Sequence, residues 1–277
     1  MGDIKESASA VGRRADNDPW FERGIRFGFV VYGVVYLVVA WLALQLALGD
    51  QSGSASSTGA LHKLAQTSFG AVLIWLIAIG MLFLVLWRLL DAAVGHQEEP
   101  EDMKRLRKRL VSAAKAVLYG AIALSAFKIA MGSGSSSKKS SSTDDITATI
   151  MKWPAGPLIV GVIGLAIIAY GLNQVRVAWT ETFRKHLDAE GNSGDTGKAY
   201  LWFGKAGYMA KGIAFAVIGG LFCYAALTHN AKKSGGLDVA LHKVLQQPFG
   251  PFLLGLIAVG IGCYGLFCFA RAKHLSR

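Results

Sequence analysis

The chain has 277 residues, of which 53% are hydrophobic and only 17% charged, with a mean hydropathy of +0.40 and a net charge of +11. A soluble domain carries about 25% charged residues, so the composition excludes an ordinary water-soluble enzyme and points to a membrane protein. The positive charge would suggest nucleic acid in a soluble chain. Here the 29 Lys and Arg sit mainly between long apolar runs, where they set membrane orientation, and no nucleic-acid partner is expected.

Residues 1–24 are polar and mixed in charge, so no signal peptide is expected and the first apolar run should stay in place as an anchor. Six runs come close to or exceed the length of about 20 apolar residues that crosses a bilayer. They are Phe27 to Leu48, Phe69 to Trp87, Leu110 to Met131, Pro154 to Val175, Ala206 to Thr228 and Pro248 to Ala270. Four contain no charged residue; the third carries Lys115 and Lys128, and the fifth carries Lys211. In lipid every backbone amide must be satisfied internally, which leaves helices or a closed barrel, and runs without two-residue alternation exclude the barrel. The expected fold is an all-α integral membrane protein with six transmembrane helices.

Lys and Arg are unevenly shared between the two sides. The N-terminal segment, the second and fourth loops and the C-terminus hold 18, against 7 in the first, third and fifth loops. This bias predicts that both termini are cytoplasmic. The tryptophans fit two interfacial belts, with Trp20, Trp87, Trp179 and Trp202 near inner ends and Trp41, Trp75 and Trp153 nearer outer ends.

The phrase "ALHKLAQTSFG" from Ala60 returns as "ALHKVLQQPFG" from Ala240, with seven of eleven letters unchanged, each time in an outer loop leading into the second helix of a pair. On the same frame Gly33, Gly120 and Gly212 mark the first helix of each pair, and Gly70, Gly156 and Gly250 open the second. The separations are 37, 36 and 38 residues, so the chain reads as three tandem two-helix repeats. "RFGFVVYG" and "KAGYMAKG" share basic, any, Gly, aromatic, three more, Gly, whereas "AAKAVLYG" keeps only the final Tyr-Gly. The middle repeat also has Ala148-Thr149 in place of His62-Lys63 and His242-Lys243.

Three such units, with this glycine frame and loop phrase, resemble an actinobacterial integral membrane family known as domain of unknown function 1206. The resemblance covers roughly residues 20 to 275 and implies an integral membrane protein of three repeats in a bacterial plasma membrane, with no substrate, cofactor or catalytic residue to transfer. The expected layout is an N-terminal tail at 1–19, repeats at 20–95, 107–179 and 199–277, and linkers at 96–106 and 180–198. All three hairpins enter from one side, which predicts pseudo-threefold symmetry about the membrane normal. Small residues allow close helix packing. Gly212, Ala216 and Gly220 form one stripe and Ala206, Ala210 and Ala214 another. Either the first helices line the axis, or these glycines pack within each hairpin.

The apolar runs contain no Asp, Glu or His, so intramembrane carboxylate or His-dependent catalysis, haem and di-metal sites have no residues to build on. The loops are too short for a soluble catalytic domain. No enzyme activity and no cofactor are expected. "GSGSSSKKSSS" from Gly132 and "GDQSGSASSTG" from Gly49 lack P-loop spacing and read as flexible linkers. Cys223, Cys263 and Cys268 lie in predicted helices and read as reduced and structural. His62 and His242 are weak metal candidates, with Asp144, Asp145 or Asp238 as a third ligand; capping a short interfacial helix is the plainer role.

The chemical signal is basic. Arg26 and Lys205 each stand seven residues before a marker glycine, while Lys115, Arg176 and Lys211 lie farther along their helices. Lys211 is about 9 Å inside Lys205 at the helical rise. These five residues are the candidate contacts for anionic lipid headgroups or for a partner's acidic segment, the remainder of their role being snorkelling to the interface. The second reading is a transporter or channel for a small anion along the threefold axis, with Asn173, Gln174 and Gln45 as polar groups of the path. A continuous polar cavity would favour the second reading and a closed apolar axis the first.

Overall fold

The computed structural model describes residues 19–50, 54–93, 102–131, 142–153, 155–191 and 193–275. The long helices are α1 (Pro19–Ala47), α3 (Gly70–Ala93), α4 (Asp102–Ala130), α6 (Gly156–Trp179), α7 (Gly194–Leu227) and α9 (Gly250–Lys273). Short helices α2 (Ser57–Ala65), α5 (Ser142–Met151) and α8 (Leu237–Leu245) precede the second long helix of each repeat. The six long helices are each long and apolar enough to cross a membrane, and no strand occurs among the described residues. The chain is a multi-pass helical membrane protein of three tandem hairpins.

The helices outrun the apolar stretches, because backbone hydrogen bonding continues wherever propensity allows. α3 therefore takes in Arg88 and Asp91, α9 takes in Arg271, and α1 begins before Glu22. The expectation of helices without acids holds for the apolar runs and fails for the helices themselves. The segment from Gly49 is likewise only partly linker. Its Ser57, Thr58 and Gly59 form the first turn of α2, where the Ser56 hydroxyl oxygen accepts from the Gly59 N–H at 3.1 Å. The serine-rich segment at 132–141 lies outside the described residues.

The repeated phrase forms α2 and α8 and the turns after them. Ala60, Leu61, Ala240 and Leu241 are buried, which explains the apolar letters. A Cβ on Gly70 would strike the Ala65 carbonyl, one on Gly250 the Leu245 carbonyl, and one on Gly156 the Ile150 carbonyl. Only glycine allows a descending helix to start that close to the end of its short helix.

The six long helices are arranged as a ring that is open between α4 and α6. The most extensive contacts lie between consecutive repeats, α3 on α4, α6 on α7, and α9 back on α1. Within repeats α7 packs on α9 and, less extensively, α1 on α3, while α4 and α6 make no extensive contact among the described residues. The marker glycines follow this pattern. A Cβ on Gly33 would lie 2.9 Å from the Gly265 carbonyl, and one on Gly212 would lie 2.8 Å from the Gly171 carbonyl. Gly33 and Gly212 thus neither line an axis nor hold their own hairpins; they join each first helix to a neighbouring repeat. In α7 the Gly212 and Ala216 stripe meets Gly171 of α6, while Ala206 and Ala210 meet Gly260 of α9. Gly120 departs from the pattern, with nothing within 4 Å of its Cβ position.

Candidate functional site: a cationic, tyrosine-lined chamber

The ring encloses a chamber of about 350 Å³ to which all six long helices contribute. Its wall contains Tyr32 and Tyr36 of α1, Tyr119 of α4, Tyr170 of α6, Tyr208 of α7 and Tyr264 of α9, together with Arg88, Lys115, Lys211, Arg271 and Gln174. Among the described residues no Asp or Glu lines it. Ser57 and Thr58 of α2 and Leu237 of α8 border the end where the short helices sit, and Arg88 and Arg271 lie toward the end bearing the chain's first and last described residues. The latter is called the terminal end below.

The tyrosines are placed by the glycine contacts. Where Gly33 meets Gly265, the preceding Tyr32 and Tyr264 turn about 100° round their helices and face inward. Where Gly212 meets Gly171, the preceding residues are Lys211 and Tyr170, so Lys211 occupies a position that elsewhere holds tyrosine. The Tyr32 and Tyr36 hydroxyls are 3.0 Å apart, and Tyr32 meets Tyr119 edge to face at 5.0 Å between centroids. A chamber rimmed by phenol O–H groups and cations offers donors to an anion.

Lys211 is 6% exposed, and its ammonium lies 3.9 Å from the centre of the Tyr264 ring, 5.0 Å from Tyr36 and 5.9 Å from Tyr32. Ring faces attract a cation but do not neutralise it, and no carboxylate is paired with Lys211 among the described residues. Arg271, 5% exposed, stacks over Phe29 at 4.3 Å. Arg88, 7% exposed, is held by Asp91 at 2.6 Å and lies over the Trp87 ring. The Nε atoms of both arginines have no hydrogen-bond partner among the described residues. Unspent donors on buried guanidiniums are costly unless something else satisfies them.

Of the five basic residues singled out from the sequence, the chamber holds Lys115 and Lys211. Arg26 is spent on structure: it pairs with Glu22 at 2.7 Å and donates to the Ala272 and Lys273 carbonyls at the end of α9. Lys205 pairs with Glu181 at 2.6 Å, and Arg176 is exposed on the outside of α6. Of the other polar groups, Gln174 lines the chamber, whereas Asn173 faces outward and Gln45 is not in the wall.

His242 is engaged locally, its Nδ1 lying 2.9 Å from the Asp238 carbonyl, while Asp238 accepts from the Ala55 N–H at 2.9 Å and so ties the first and third repeats. His62 and His242 belong to no cluster of three ligand side chains among the described residues, and the side chains of Asp144 and Asp145 lie outside them. The three cysteines are unpaired thiols.

The segment after α6 closes the terminal end. A 3-10 turn at Thr182–His186 carries Phe183, fully buried, which stacks on Tyr208 at 5.4 Å and meets Phe267 edge to face. The turn is fastened by Glu181 to Lys205 and Arg184, and the following residues by Asp188 to His274 at 3.1 Å. The Lys205 and Arg184 hydrogen bonds hold the Glu181 carboxyl below its ordinary range. The Gly191 N–H and then the His274 ring do the same for Asp188. The ligand atoms of Asp188, Glu190 and His274 lie within 4.8 Å of one another, an arrangement already occupied by the Asp188–His274 hydrogen bond.

Sequence reasoning missed Arg88 and Arg271, which stood just beyond the apolar runs, and the six tyrosines. A signal was present: Tyr32, Tyr119, Tyr170 and Tyr264 are each followed by glycine.

A ring of three helical hairpins around a cationic chamber defines the class as a polytopic membrane protein of internal repeats. The chain belongs to the family described as Domain of Unknown Function (DUF1206), which matches it three times, at residues 27–95, 110–181 and 206–274. It is also similar to "Uncharacterized protein YxxB" of Bacillus subtilis (strain 168), with 27% identity over 265 residues that cover 95% of each chain. No solved structure matches the chain.

Proposed function

We propose that this protein binds an anion inside its helical ring and acts by binding rather than by catalysis. The observation that carries this is Lys211, a buried cation held by three tyrosine rings in a chamber whose wall, among the described residues, has four basic side chains and no acid. A charged Lys in a membrane helix costs about 3 kcal/mol on insertion scales. Ring contacts offset part of that, and an anion at the ammonium offsets the rest. The reading moves the anion from the basic rim, where Arg26 and Lys205 are already ion-paired, into the chamber. We place the protein in a bacterial plasma membrane with both ends of the chain cytoplasmic, on the distribution of Lys and Arg.

The test is native mass spectrometry of protein extracted gently with its bound molecules. Wild-type protein should retain an anionic species, Lys211→Met should lose it while remaining folded, and Lys205→Met should keep it. Retention of the same species by Lys211→Met sinks the reading. A transport role, the alternative, would add flux of that anion across proteoliposomes, favoured by a wall reaching from Arg271 to Ser57 and Thr58.

A further inference from the structure

We infer that the chamber's ligand is an amphiphile with an anionic headgroup, admitted from the lipid through the seam between α4 and α6. This rests on the anion-binding reading above and adds the ligand's class and its route.

The first support is the division of the wall. The cations Arg88, Lys115 and Arg271 lie on the terminal side of the level at which the marker glycines meet, and Lys211 lies at that level. Beyond it, the side chains of Ile122, Ala214, Phe215, Ile218 and Ile261 form an apolar part of the wall beside the hydroxyls of Tyr36, Ser125, Ser57 and Thr58, with no cation among them. An inorganic anion gains nothing from that apolar part. A molecule with a charged head and an acyl tail satisfies both parts, the tail gaining from burial against the apolar side chains.

The second support is the seam. Five of the six neighbouring pairs in the ring pack extensively; α4 with α6 does not. At this place Leu118 and Ala121 of α4 are exposed although they belong to the chamber wall. In a bilayer, helix faces exposed at mid-depth meet acyl chains, so the break in the ring joins the chamber to lipid. The guanidinium side chains of Arg88 and Arg271 line the same chamber from the headgroup side and are the donors a phosphate would take.

Full-length protein in neutral detergent is titrated by calorimetry with dihexanoyl phosphatidate, dihexanoyl phosphatidylcholine and inorganic phosphate. Phosphatidate should bind at least about tenfold tighter than either of the others. Ala121→Trp, which fills the seam from an exposed position, should weaken phosphatidate about tenfold. Leu118→Trp repeats the test should the first variant not fold. Phosphate binding as tightly as phosphatidate, phosphatidylcholine doing so, no phosphatidate binding, or indifference to both seam variants overturns the proposal. If in those cases Lys211→Met still abolishes phosphate binding, the anion chamber stands and only the amphiphile and its route are lost. If Lys211→Met leaves every affinity unchanged, both fall.

Discussion

The seams on the two sides of α6 differ sharply. Toward α7, Gly171 faces the Gly212 carbonyl and Gly164 faces Gly219, so two backbones approach to the limit of contact. Toward α4 no such pair exists among the described residues, and the marker glycine of that helix, Gly120, borders open space. A glycine in a membrane helix creates an interface only when a small residue stands opposite to receive it, because the gain is dispersion between backbones and not a property of glycine alone. The middle repeat kept its marker glycine and lost the close contact. The same comparison explains the site: Tyr32 and Tyr264 are turned inward by a closed glycine contact, while Leu118 and Ala121 line a gap.

The largest expected effect tests the closed seam. In Gly171→Leu a Cβ would lie 2.7 Å from the Gly212 carbonyl and 2.9 Å from the Ala216 nitrogen, backbone that cannot move aside. The cost should be about 3 kcal/mol or more, read as loss of the monodisperse, cooperatively melting protein. Gly120→Leu should melt near the parent; equal damage from both would break the comparison.

Next comes Phe183→Ala. Emptying the site of a fully buried ring between Tyr208 and Phe267 should cost roughly 3 kcal/mol in thermal or denaturant unfolding. It should also raise hydrogen exchange at the terminal end while leaving the α4–α6 side unchanged.

Lys211→Met should go the other way, raising stability by about 1–2 kcal/mol in ligand-free protein, the insertion cost less the cation–π offset. A destabilised Met variant would mean that the Tyr rings alone make the ammonium favourable. Smaller again, Gly120→Ala should raise the melting temperature slightly, corresponding to at most about 1 kcal/mol of helix propensity, whereas Gly33→Ala, with the Gly265 carbonyl 2.9 Å from its Cβ, should lower it.

The smallest effect is that of pH on the terminal end. Asp188 has a folded pKa below its unfolded one, so its contribution is present at neutral pH and is lost as pH falls through the lowered folded value. Acidification should therefore speed exchange in the segment around residues 182–191. Asp188→Asn should remove the part of that pH response due to the contact with His274.

Six helices, three repeats and the need for Gly70, Gly156 and Gly250 were legible because each follows from local facts: apolar length, periodic spacing and a tight turn. Lys211 was legible as an anomaly, a charge in an apolar run. Arg88 and Arg271 were not, since an arginine one residue past a hydrophobic run reads as a flank until the helix is seen to continue and turn it inward. Nor were the ion pairs of Arg26 and Lys205, which depend on where Glu22 and Glu181 land.

What the sequence by itself determined is everything that one helix dictates to itself: its span, its charged ends, its place in a repeated frame. Which helix faces which was decided only by the tertiary structure. The same marker position is a closed contact at Gly33, where Gly265 stands opposite in a repeat far along the chain, and borders open space at Gly120. The chamber is a product of those pairings. Its cations and tyrosines come from helices whose sequences, read one at a time, show only single polar residues on apolar faces; the arrangement of the six helices is what sets them around one space.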